Sequence, residues 1–231
     1  MKEQYLIKLI DYLRQFEGSD IESLLVKQKI SSSSKSKNYI LSKALLYSFE
    51  GKDIAEAKIE KYKLNIKTIQ LKENGSPKEA MSFAPIDFTK IVGEQWNESE
   101  FRNYLTNDFI FFIFKINGQK NELFKIIHWC MPLEDLDGET KLVWEDTKKK
   151  ISEGTIIKEI ANNKIITWFL GQKVTNICHV RPHGANGADV IKLPVSDRLT
   201  GYDHVLKHSF WFNQSYIKTI IYGKPTKGEM Q

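Results

Sequence analysis

Leu64-Asn65-Ile66-Lys67-Thr68-Ile69-Gln70 decides the reading of this chain. Its alternation of apolar and polar residues predicts a β-strand over Tyr62 to Leu71, with Asn65 and Lys67 on one face. A carboxylate two residues before a strand lysine would share its face, where an acid can hold a divalent cation and an ammonium can meet an anion. Here the acid position is Asn65, and a neutral amide is a poor ligand for a hard cation. The strand offers a lysine on that face with no carboxylate beside it.

Before this strand, Leu6, Leu9, Ile10 and Leu13 share one face of a helix over Tyr5 to Phe16, and a second helix begins at Ile21. The stretch Ser31 to Asn38 is a basic exposed loop leading into a helix from Tyr39 to Phe49 that Gly51 caps. After the strand, Glu73 to Pro77 is a turn, and Phe83 to Phe88 is a short strand interrupted by Pro85. Phe109-Ile110-Phe111-Phe112-Ile113-Phe114 is continuously apolar, which predicts a central strand buried on both faces. Asn117-Gly118-Gln119 turns it back into a hairpin with Glu122 to Trp129. A helix over Leu142 to Ile151 places Lys148, Lys149 and Lys150 at its carboxyl end, where they favour the dipole. Strands follow at Ile165 to Leu170 and Asn176 to Val180, with a last strand and helix over His208 to Tyr222. These elements predict one α/β domain over 1–231, with room for two sublobes.

The chain has 231 residues, 41% hydrophobic and 27% charged, which suits a globular protein with a substantial core. A net charge of +5 permits a polyanionic partner without demanding one. Cys130 and Cys178, each flanked by apolar residues, read as buried reduced thiols, and without a CxxC pair a structural zinc site is unsupported. No signal-peptide core or membrane-spanning apolar run occurs, so a cytoplasmic location without membrane contact is expected. His204 and His208 have helical metal-ligand spacing but no third ligand nearby, and no metal site is assigned.

Three segments together resemble the MutH family, which comprises a mismatch-repair nicking endonuclease and related GATC-cutting type II restriction endonucleases. Leu64 to Gln70 stands where that family reads Val-Glu-Leu-Lys-Thr-Ile-Pro. Val143-Trp144-Glu145-Asp146, followed by a helix and Gly154, looks like the family's Trp-Glu-Glu helix. Val180-Arg181-Pro182-His183-Gly184-Ala185-Asn186 is similar to Ile-Arg-Pro-Lys-Ala-Ala-Asn. The resemblance implies a restriction-endonuclease fold: a mixed central sheet flanked by helices, with two lobes around a DNA cleft. It also implies that the catalytic positions fall on Lys58, Asn65 and Lys67. Two of these three are chemically wrong, because an ammonium at Lys58 repels the cation a carboxylate would hold. Some GATC-cutting relatives pair a catalytic amino-terminal domain with a second domain of similar fold that has lost its acids. This chain looks like that second domain.

The resemblance carries expectations for partners. Duplex DNA containing GATC is the implied ligand, with the catalytic amino-terminal domain of the same parent chain as protein partner and dimerisation on DNA open. Magnesium belongs to the parent's catalytic domain, and no cofactor is expected for this one. Arg181 can donate bidentately to guanine, His183 to a base acceptor, and Asn186 suits adenine or backbone. Pro182 and Gly184 limit the loop's geometry, and Ala185 lets the backbone approach. Trp211 occupies a base-contacting position, exposed on the face opposite Phe210 and Phe212. Lys35 and Lys37 contact phosphates, and Met81 lies near a minor-groove wedge. Two alternatives stay open: a magnesium-dependent endonuclease using a migrated acid (Asp53, Glu56 or Glu60), and a module that only docks onto the catalytic half.

Overall fold

The computed structural model describes residues 1–118, 120–161 and 164–223. The chain begins with α1 (Lys2–Arg14), α2 (Ile21–Lys27), α3 (Lys37–Glu50), α4 (Lys52–Tyr62) and β1 (Leu64–Leu71). Next come β2 (Met81–Pro85), α5 (Phe88–Ile91), α6 (Glu100–Leu105) and the hairpin of β3 (Asp108–Asn117) and β4 (Lys120–Trp129). Then follow α7 (Leu133–Asp135), α8 (Lys141–Glu153), β5 (Ile157–Ala161), β6 (Lys164–Thr167), β7 (Cys178–Pro182), β8 (Val190–Lys192) and β9 (His204–Leu206). The last elements are β10 (His208–Phe212) and α9 (Gln214–Tyr222). Gln119, in the expected hairpin turn, lies outside the described residues. No described helix is long and apolar enough to cross a membrane.

Helix-flanked sheets of mixed α/β type are present, as the resemblance implies; among the described residues the strands pair as two three-stranded sheets and two hairpins. The contacts divide the chain into two compact units. The first holds Met1–Glu79, Leu105–Met131 and the segment from Ile220. In it, β1 pairs in parallel with β3, and β3 pairs antiparallel with β4. Residues Phe109 to Phe114 are fully buried, as their unbroken apolarity predicts. Ile110, Phe112 and Phe114 pack against the leucines of α1, α2 and α3. On the other face Phe109 and Phe111 meet the Trp129 ring at 5.5 and 5.7 Å. At about 1.5–3 kcal/mol for each buried side chain, this strand anchors the unit.

Residues 80–104 and 132–219 form the second unit. Its sheet has the order β2-β10-β7, all antiparallel, and β5-β6 and β8-β9 are separate hairpins. β10 is buried along its whole length. Phe210 stacks on Phe101 at 4.2 Å, and Phe212 meets Phe83 edge-on at 4.8 Å. Helix α8 ends at Gly154 in the left-handed conformation, where an added Cβ would lie 2.5 Å from the Ser196 carbonyl. Only glycine fits there.

Asp197 ties this unit together. Its side chain accepts from the Ile156 and Ile157 backbone N–H groups at 3.0 and 2.8 Å. It also accepts from the Leu199 and Thr200 N–H groups and the Thr200 hydroxyl at 3.0–3.1 Å.

Candidate functional site

The first unit carries the expected catalytic positions. β1 alternates as read: Leu64 and Ile66 face the helical core, so Asn65 and Lys67 share the other face. Lys67 is half-buried, and that burial lowers its ammonium below the ordinary lysine range. Lys58 lies on α4, and its ammonium forms an ion pair with Glu50 at the end of α3. It also sits 4.4 Å from the centre of the Tyr5 ring, while the Tyr5 hydroxyl donates to Glu50 Oε1 at 2.7 Å. Burial and the Glu50 carboxylate push the Tyr5 phenol well up.

The acid that meets Lys58 is thus Glu50, which the sequence reading did not single out. Of the suggested migrated acids, Glu56 is taken by Lys43 at 2.7 Å and by the Tyr47 hydroxyl. Lys43 and Tyr47, first and second in effect, hold the Glu56 carboxyl below its usual range.

The second unit carries the Arg181 segment. The strand runs further than expected, so Arg181 and Pro182 end β7 and the loop begins at His183. The register pairs Arg181 with Ser209 and His179 with Trp211, which places these four on one face of the sheet. The Arg181 guanidinium lies 3.7 Å from the centre of the Trp211 ring. The His183 ring meets the same indole at 4.7 Å, and His183 Nδ1 is 2.8 Å from the Ser209 hydroxyl. A guanidinium on an indole face is a desolvated cation–π contact that fixes its direction.

Trp211 is not exposed as expected: it is 8% accessible, and Arg181 at the end of the neighbouring strand and His183 just beyond it lie against its ring. The alternation was read correctly, since Phe210 and Phe212 are buried on the opposite face. Met81 is also buried; it lies on β2 opposite Phe212 and shares its face of the sheet.

The loop is closed on itself. Asp189 forms an ion pair with Lys207 at 2.5 Å and accepts from the Ala185 N–H at 3.0 Å. The Asn186 side chain accepts from the Ala188 N–H at 2.9 Å. A side chain at Gly184 would press on the Asp189 carbonyl at 3.0 Å, so the turn is tight at this glycine. Ala185 and Asn186 are exposed. In the serine loop of the first unit, Lys35 is exposed, whereas Lys37 opens α3 and pairs with Glu22 at 2.8 Å.

Residues 43–135 match the family model described as the DNA mismatch repair enzyme MutH. The chain is also 31% identical, over 234 aligned residues, to the type II restriction enzyme Sau3AI of Staphylococcus aureus. The alignment covers 87% of this chain and 48% of that protein. Over residues 43–135 the chain is MutH-like. It spans about half the length of the curated relative it matches.

The region that matches the family model runs from within α3 through α7 and contains Lys58, Asn65 and Lys67. Magnesium does not fit these positions. The donors there are an amide and two ammonium groups, and the nearby Glu50 carboxylate already holds Lys58. No catalytic step through a metal follows from this strand.

The expectation of two buried thiols holds for Cys178 and fails for Cys130. Cys130 lies just beyond the end of β4, where the strand opens to solvent.

Proposed function

We propose that this chain binds duplex DNA containing GATC and serves as the non-catalytic effector half of a type II restriction endonuclease. The catalytic half of the same parent chain would supply the magnesium site and the cutting. The observation that carries this reading is the Lys58–Glu50–Tyr5 cluster. On this reading Lys58 stands where the family carries a metal-binding carboxylate, and Glu50 balances its charge without a divalent ion. DNA contact falls to Arg181, His183 and the exposed loop at Ala185 and Asn186, with Trp211 supporting the guanidinium from beneath. Lys35 and Lys37 supply phosphate contacts on the first unit.

Fluorescence anisotropy without divalent metal, at several salt concentrations, tests this. A GATC duplex is expected to bind at least ~10³-fold more tightly than a scrambled one, as specific recognition requires. Equal affinity with a steep salt slope would sink sequence reading and leave a docking module. Arg181→Ala should cost about 1–3 kcal/mol on the GATC duplex and relax preference at one base pair. An equal loss on both duplexes would contradict a base-reading role. Lys35→Ala should instead weaken both complexes alike and lower the salt slope by about one.

A further inference from the structure

A second polar cluster in the first unit has no part in the DNA reading. Asp108 opens β3, His128 lies near the end of β4, and Cys130 follows that strand. Strand alternation puts His128 and Cys130 on one face. The register, with Phe109 opposite Trp129, brings Asp108 across from Cys130. His128 Nε2 is 2.5 Å from Asp108 Oδ1, and the Cys130 thiol donates to the same oxygen at 3.0 Å. The sulfur and Nε2 are 3.9 Å apart, and all three donor atoms lie within 4.8 Å of one another. The other Asp108 oxygen is paired with Lys2.

From this geometry we infer that Asp108, His128 and Cys130 form a site for a borderline-soft divalent transition metal of the zinc or cobalt type. Thiolate, imidazole and carboxylate together make a donor set for such ions, whereas magnesium takes oxygen alone. A tetrahedral ion bonded at about 2.0–2.3 Å holds its ligand atoms roughly 3.5 Å apart. The observed separations bracket that value, so small side-chain rotations suffice. Three protein ligands leave a fourth position for water.

The two hydrogen-bond protons now directed at Oδ1 must leave when the ion enters. The Cys130 proton goes to solvent. The His128 proton leaves Nε2 while Nδ1 takes one up, so each ion releases one proton net.

The test titrates the metal-stripped chain with cobalt(II). A near-ultraviolet thiolate-to-cobalt charge-transfer band saturating at one equivalent is expected, and excess magnesium should not remove it. Cys130→Ser should abolish the band, and His128→Gln should weaken zinc binding by about 100-fold or more, beyond the range of a supporting residue. Lys2→Gln should tighten binding several-fold, because it removes a competing ammonium from the carboxylate. This last variant reports on the site even if a ligand substitution impairs folding. Absence of the band, its persistence in Cys130→Ser, displacement by magnesium, or weaker binding in Lys2→Gln would each overturn the assignment.

Discussion

Asp197→Ala is expected to destabilise the second unit by about 3–5 kcal/mol, measured as a fall in urea midpoint at constant slope. The carboxylate is 1% exposed and accepts from four backbone N–H groups and one hydroxyl. Ile156 and Ile157, whose N–H groups it satisfies, are themselves fully buried. Alanine would leave those donors without a partner in a place water does not reach, and an orphaned buried donor costs more than a hydrogen bond contributes. Asp197→Asn should cost about half as much, since an amide still accepts through its oxygen while its NH₂ opposes two donors. A loss under 1 kcal/mol in the alanine variant would show that the segment from Ser196 to Gly201 is held by something other than this side chain.

The second large effect is acid sensitivity of the same unit. His208 is 1% exposed and packed between the rings of Phe88 and Phe169, and its Nδ1 lies 2.7 Å from the Leu206 carbonyl. Burial pulls its pKa down to about 4, against a smaller upward pull from that carbonyl. A lowered pKa means that the unfolded chain takes up a proton first. The neutral ring's contribution is complete above about pH 6.5 and disappears as pH falls toward 4, amounting to roughly 3 kcal/mol. Between pH 7 and pH 5 the loss should be about 2 kcal/mol.

His179, whose pKa burial also lowers, acts in the same direction. Asp197 does not interfere in that window. Burial pushes its carboxyl up, the hydrogen bonds to it outweigh that, and its contribution is lost only below the ordinary carboxylate range. Unfolding measured from pH 7 to 4 should therefore show a shallower decline in His208→Met than in the parent chain. Parallel declines would mean that the imidazole is hydrated or already charged in the folded state.

The sequence disclosed the parts of the fold whose apolar residues follow a period or an unbroken run. α1 showed its stripe, β1 its alternation, and β3 its six consecutive apolar residues. α4 was missed because its apolar pattern is weak: Ala55 is the buried residue of that helix. β5 and the β8-β9 hairpin were missed because three- to five-residue strands with mostly exposed side chains leave little signal.

Within the candidate site, chemical identity was legible and partnership was not. Asn65 and Lys58 could be recognised as wrong for a metal, but Glu50 meets Lys58 only because Gly51 turns α3 into α4. Trp211 was placed on the correct face, yet its cover comes from Arg181 and His183, which lie about thirty residues earlier in the chain. Asp197 reads locally as a turn residue, and its two most buried partners are forty positions away.

The parallel pairing of β1 with β3 has a consequence for synthesis. β1 emerges from the ribosome before its partner, and the intervening segment from Ala80 to Tyr104 belongs to the other unit. At roughly 5–20 residues per second the exposed edge of β1 waits a few seconds for β3. Throughout that interval its open backbone can template association with other strands. Lys63, Lys67 and Lys72, in and beside β1, give that edge a positive charge. Neighbouring nascent chains that present the same edge would repel one another until β3 arrives.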